Sequence, residues 1–187
     1  GYGLRISIRK QVNQDLSTGL GIYYLDKDLD INDMGYLMRN DWFMIGGRTQ
    51  LQKTDFNKTS NTLVRTYQHS YGCRTLSNGD KEGCFSGFEI KNQFKNTSQI
   101  ETEVFFRTNG RDNLITRGSE LAPYIKLPQN YGIDFKYVGQ KNKFWQWDLF
   151  AQRSKGSEYS SDLGWRNKYY SSVKMFPLPN LTLRLSY

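Results

Sequence analysis

Residues 96–110, NTSQIETEVFFRTNG, decide how the chain is read. Ile100, Thr102, Val104 and Phe106 share one side of an extended segment, and Glu101, Glu103 and Arg107 share the other, interrupted only by Phe105. A period of two is a strand signal, with the two faces of the strand meeting different surroundings. Charges at every second position would be costly in a dry sandwich core but are stable against water. The segment therefore predicts a single-layer wall, apolar on the outside and wet within, as in a transmembrane barrel.

The same alternation recurs on both sides. GYGLRISIRK (1–10) sets Tyr2, Leu4, Ile6 and Ile8 against Arg5, Ser7 and Arg9. YGIDFKY (131–137) opposes Tyr131, Ile133, Phe135 and Tyr137 to Asp134 and Lys136, and KFWQWDLFAQRS (143–154) opposes Trp145, Trp147 and Leu149 to Gln146 and Asp148. NLTLRLSY (180–187) ends the chain with Leu181, Leu183, Leu185 and Tyr187 against Thr182, Arg184 and Ser186. Roughly eight to ten strands joined by polar, Gly- or Asn-containing turns account for the chain, and no segment keeps a helical period. The expected fold class is all-β, an antiparallel transmembrane β-barrel over residues 1–187 or the C-terminal part of a larger one.

Composition agrees with that expectation. Only 37% of the 187 residues are hydrophobic, while four Trp, thirteen Tyr and eleven Phe supply bulky surface. No run approaches the ~18 apolar residues of a membrane helix, but a barrel strand needs only about 9 to 11. The chain opens at Gly1 without a leader segment, so a barrel of this kind would be a processed chain or a fragment. A net charge of +8 suits anionic lipid or lipopolysaccharide. Nucleic acid is not expected as a partner, because it would need a continuous charged stacking groove.

Within this frame Arg5, Arg9, Glu101, Glu103, Arg107, Asp134, Lys136 and Asp148 are candidate lumen charges. Trp42, Phe43, Tyr71, Phe85, Tyr131, Trp145, Trp165, Tyr169 and Tyr170 fall near expected strand ends, where amphipathic rings would form membrane-interface girdles.

The stretch INDMGYLMRNDWFMIGG (31–47), with Asp33, Gly35, Tyr36, Arg39, Asp41 and Trp42, resembles the outer-membrane barrel domain family called DUF5916. Thr116, Arg117, Gly118, Leu121 and Pro128 resemble a second stretch of that family, although Ser119 and Glu120 replace its second Gly and following Pro. The resemblance implies a Gram-negative outer membrane. It also implies a porin-like passage or membrane anchor, noncatalytic in this region, for glycan-related binding or uptake through a front domain similar to a family 9 carbohydrate-binding module. The alternatives are a soluble glycan-binding β-sandwich, with Trp145, Trp147 and Trp165 in its core or sugar platform, and the barrel domain of a membrane-associated glycan-processing protein.

Reactive residues are few. Cys73 and Cys84 flank a ten-residue, turn-rich segment and suit a disulfide closing a hairpin. Asp26, Asp28, Asp30 and Asp33 offer oxygen ligands, but Ile31 and Leu37 occupy the positions where an EF-hand loop needs Gly and Glu, so a solvated acidic loop is expected. Glu101 and Glu103, with Glu89, Asp134 and Asp148, are the carboxylates nearest to glycosidase chemistry, which requires a pair controlled across a cleft. His69 is the sole histidine, so a His-centred metal cluster is excluded. No catalytic set, cofactor or metal is expected.

Overall fold

The computed structural model describes residues 1–26, 42–76, 79–112, 124–140, 144–156, 164–178 and 181–187. Asp28, Asp30 and Asp33 of the acidic loop, most of the 31–47 stretch, and Thr116 to Leu121 lie outside the described residues.

The described residues form twelve strands and no helix. They are β1 (Gly3–Gln11), β2 (Leu16–Leu25), β3 (Trp42–Lys53), β4 (Thr62–Leu76), β5 (Lys81–Phe94), β6 (Gln99–Arg107), β7 (Gly110–Asp112), β8 (Ile125–Leu127), β9 (Asn130–Val138), β10 (Trp145–Lys155), β11 (Trp165–Leu178) and β12 (Leu181–Ser186). Ten make one antiparallel sheet in the order β1-β2-β3-β4-β5-β6-β9-β10-β11-β12, while β7 and β8 pair separately as a short ribbon. Each strand of the large sheet lies beside its neighbour in sequence, apart from the β6–β9 step that the ribbon spans.

Register converts the alternation of single strands into two continuous faces, because directly opposed residues project to the same side. Ile6 opposes Ile22, which opposes Ile45; Phe88 opposes Val104, which opposes Ile133. These residues belong to an apolar face. On the other side, Arg5 opposes Tyr23, and Lys91, Glu101 and Lys136 stand in one row. The reading of QIETEVFFR as a strand with one apolar and one ionised face agrees with β6.

The expected closed barrel is corrected here. β1 and β12 each have a neighbour on one side only and do not pair with each other, so the sheet is open. An open sheet does not meet the requirement of hydrocarbon, where every unpaired edge N–H and C=O costs several kcal/mol. The transmembrane, porin-like and outer-membrane readings fall with the closure, and the described strands enclose no lumen for charges to line. Nor are two stacked layers found among the described strands. The only buried hydrophobic residues among them are Leu76 and Leu127, at 3% and 5% exposure, and they stand at the ribbon end of the sheet rather than in a central core.

That end is packed by polar contacts. Glu82 is 5% exposed and accepts from Arg74 Nη1 at 3.0 and 3.2 Å, with Arg107 Nη2 at 3.6 Å. Two guanidiniums around one buried carboxylate offset its desolvation. Gly110 of the ribbon lies so close to the Glu82 carbonyl that a Cβ would sit 1.9 Å from that oxygen.

Cys73 and Cys84 are direct cross-strand partners of β4 and β5, joined by a disulfide with a Cα–Cα distance of 3.9 Å. The bond closes a short hairpin whose strands are already paired. Loop-closure entropy for a ring of this size is worth roughly 2 to 3 kcal/mol. Cys73→Ser/Cys84→Ser is therefore expected to lower the free energy of unfolding in urea by about that amount, with an unchanged strand signal in circular dichroism; equal urea midpoints for the two proteins would refute the estimate.

Candidate ligand groove

Two parallel rows on the polar face run across the strands. The first is a row of small residues and arginines interrupted by Phe105: Arg9, Gly19, Arg48, Ser70, Gly87, Phe105, Gly132, Ser154 and Arg166 are successive direct partners from β1 to β11. The second, one step along each strand, is built almost wholly of amides and carboxylates: Gln11, Ser17, Gln50, Gln68, Glu89, Glu103, Asp134, Gln152 and Lys168. On the other side of the first row, Gly21, Gly46, Gly72 and Phe85 follow one another. Glycines leave the sheet without side chains there, so the low rows form a floor and the planar polar groups form one wall.

Neighbouring side chains lie over that floor. A Cβ on Gly72 would meet the Phe85 ring at 2.7 Å, one on Gly132 the Phe105 ring at 2.8 Å, one on Gly21 the Tyr23 ring at 2.9 Å, and one on Gly87 the Glu103 carboxylate at 2.7 Å. The glycines thus admit close approach of rings to backbone. Two cavities result. One of about 510 Å³ over β1–β4 is lined by Arg5, Arg9, Gly21, Tyr23, Gly46 and Arg48 among others, and one of about 260 Å³ is lined by Gly87, Glu103, Phe105, Arg107 and Asn130. Ser70 and Phe85 line both, which makes them one groove.

Around Phe105 the geometry is specific. Along β9 Asn130, Gly132 and Asp134 are successive residues of the polar face, at spacings of about 6.8 Å, with the Phe105 ring over Gly132. Asn130 Oδ1 and Asp134 Oδ1 are both buried, and neither has a hydrogen-bond partner among the described residues. Buried acceptors without donors cost about 1 to 3 kcal/mol each. An aromatic platform with a vacant acceptor on either side is a place for a ligand with an apolar face and hydroxyl donors at its rim.

Glu89, Glu103 and Asp134 stand side by side on three adjacent strands. Desolvation, then the Asp134, Glu89 and Glu101 charges, raises the Glu103 pKa above its ordinary value. Desolvation and then Glu101 raise that of Glu89, opposed by Lys91, Arg48 and Lys136. Glu101 is placed differently, between Lys91 Nζ at 3.8 Å and Lys136 Nζ at 4.0 Å. These three carboxylates form one wall instead of facing each other across a cleft, so they do not supply an acid and a nucleophile on either side of a scissile bond. No group of acidic, His or Cys residues among the described ones is arranged to hold a metal ion.

The candidate lumen charges Arg5, Arg9, Glu101, Glu103, Arg107, Asp134, Lys136 and Asp148 all belong to the polar face, which is an open surface. Glu103 lines the groove with Arg5, Arg9 and Arg107, and Asp134 is its cross-strand neighbour, whereas Glu101, Lys136 and Asp148 line a separate depression towards β12. There Asp148 pairs with Lys174 at 3.3 Å and accepts from Ser172.

The nine aromatic residues do not act as one girdle. By register Phe43, Tyr71, Tyr131, Trp145, Trp165 and Tyr169 project to the apolar face, but Trp42, Phe85 and Tyr170 project to the charged face. Trp42 stacks under Arg74 at 4.9 Å, and the Tyr170 hydroxyl accepts from Arg184. His69 lies on the apolar face with Nε2 2.9 Å from Ser86 Oγ.

No family model, curated protein or solved structure matches the chain. Membership of the DUF5916 family is accordingly corrected, together with the front-domain association it implied. The motifs that carried the resemblance were short, and most of their residues lie outside the described ones.

Sequence reasoning passed over the groove's own residues: Gln50, Gln68, Gln152, Asn130, Tyr23 and Arg48. One signal was available, since Phe105 broke an otherwise clean alternation and placed a ring among charges.

The raised carboxyls fix the sign of a pH effect. A carboxyl whose folded pKa exceeds its unfolded one stabilises the fold fully below the unfolded value, and that contribution is lost as pH rises through the folded value. Unfolding free energy should therefore fall from pH 4.5 upward through the raised range, and Glu103→Gln should flatten the decline. Parallel stability–pH curves for wild type and variant, from thermal melts, would show that Glu103 does not contribute.

Proposed function

We propose that this chain is a noncatalytic glycan-binding β-domain in which a saccharide lies in the polar groove across the strands. The observation that carries the reading is the Phe105 ring over Gly132, flanked by the unpartnered buried acceptors Asn130 Oδ1 and Asp134 Oδ1. A sugar ring presents C–H groups on one face and hydroxyls around its edge. Stacking of that face on an aromatic ring buries apolar surface, while the hydroxyl donors satisfy acceptors that otherwise pay a desolvation cost.

The row of Gln and carboxylate side chains extends the same chemistry along the groove. Planar amides and carboxylates fix hydroxyl positions by paired hydrogen bonds, and their repetition from β1 to β10 suits a chain of sugar units better than one. Trp147 and Trp165 are weaker platforms. The Trp147 ring already packs on Tyr137 at 4.7 Å, and Arg153 lies 4.7 Å from the centroid of the Trp165 ring.

An oligosaccharide array followed by titration calorimetry tests the reading. Phe105→Ala is expected to weaken binding about 2- to 10-fold, and Asp134→Ala about 10- to 100-fold, as for loss of a hydrogen bond to a charged group. Trp165→Ala, on the opposite face, should leave the affinity unchanged. Absence of binding to any saccharide, or sensitivity to Trp165→Ala alone, would overturn the proposal.

A further inference from the structure

The β1–β3 end of the groove differs in charge from its middle. Arg9 and Arg48 stand in one row with only Gly19 between them, so no side chain separates their guanidiniums, and Arg5 lines the same 510 Å³ cavity. No Asp or Glu lines that cavity, and none of the three arginines makes an ion pair among the described residues. The nearest carboxylate in the row system, Glu89, is two strands beyond Arg48, whose charge acts on it without forming an ion pair. Arg9 Nη2 is 3.5 Å from Ser17 Oγ, a long contact that leaves most of its donors uncommitted, and Arg5 lies over the Tyr23 ring at 5.1 Å.

Two strand spacings put the Arg9 and Arg48 backbones about 10 Å apart, a gap that two long side chains span from both sides. Guanidinium forks match the oxygens of carboxylate, sulfate or phosphate. We infer that Arg9 and Arg48 form an oxyanion clamp across Gly19, with Arg5 as a third cation, and that the groove's ligand is an acidic oligosaccharide bearing its carboxylate or sulfate at this end. The inference deepens the glycan reading and rests on it for the identity of the ligand, but not for the anion site itself.

The test uses matched oligosaccharide pairs on one array: uronic acids against their methyl esters, and sulfated sugars against desulfated ones. The wild type should prefer the acidic member roughly 10- to 100-fold, as for one charge-assisted contact, and added salt should reduce the preference. Arg9→Gln/Arg48→Gln should lose the preference, so that acidic and neutral members bind alike, whereas Arg9→Lys/Arg48→Lys should retain part of it. Both positions are exposed, so unchanged thermal melts will show that the variants fold.

Equal binding of acidic and neutral members, or a preference that survives the Gln variant, overturns the clamp and leaves the glycan reading standing. A separate titration with inorganic sulfate, followed by the NMR signals of the arginine Nε–H groups, divides the remaining outcomes. If no sugar binds but sulfate shifts wild-type signals that the Gln variant lacks, the clamp stands as an anion site and the glycan reading fails. Neither response refutes both.

Discussion

Everything in this molecule depends on the antiparallel hydrogen-bond ladder and the register it imposes. Successive side chains on a strand point to opposite faces, and opposed residues on neighbouring strands point to the same one. Held over ten strands, that rule turns short alternations into rows that cross the whole sheet. A slip of one residue in any strand would exchange its faces, placing an ionised row among apolar neighbours. Register therefore creates the groove as directly as it creates the fold.

The two faces meet different fates. The polar face organises itself through glycines that let Tyr23, Phe85, Phe105 and Glu103 lie down on the backbone, and through ion pairs such as Glu101 with Lys91 and Lys136. The apolar face has no second layer among the described residues, and Ile8, Val104, Trp165 and Tyr169 are all more than half exposed. Four buried side chains, Leu76, Glu82, Asp112 and Leu127, gather where the ribbon meets β5, and the others, all Ser or Thr, are scattered over the sheet. Buried apolar side chains among the described residues are thus confined to one end of the sheet, and the disulfide spans the adjacent β4–β5 seam.

Charge is distributed along the groove and not averaged over it. Arginines stand at the β1–β3 end, and three adjacent carboxylates stand over β5, β6 and β9. Like charges directly opposed across strands are destabilising. Desolvation first, and neighbouring carboxylates second, raise the Glu89 and Glu103 pKa values.

Alternation in QIETEVFFR, in residues 1–10 and in the segment from Trp145 by itself determined that the chain is all-β and which side chains share a face, because the period of two is a local property of an extended backbone. It did not determine closure. Whether the first strand meets the last depends on the summed twist and stagger of every pairing, and the same periodicity serves an open sheet as well as a closed ring. Nor did it determine the groove. Phe105 looked like an interruption, and Gln50, Gln68 and Asn130 looked like ordinary polar positions, until register set the ring over Gly132 and brought residues more than eighty positions apart into one row. Only pairing between distant strands decides such neighbours, and no local pattern encodes it.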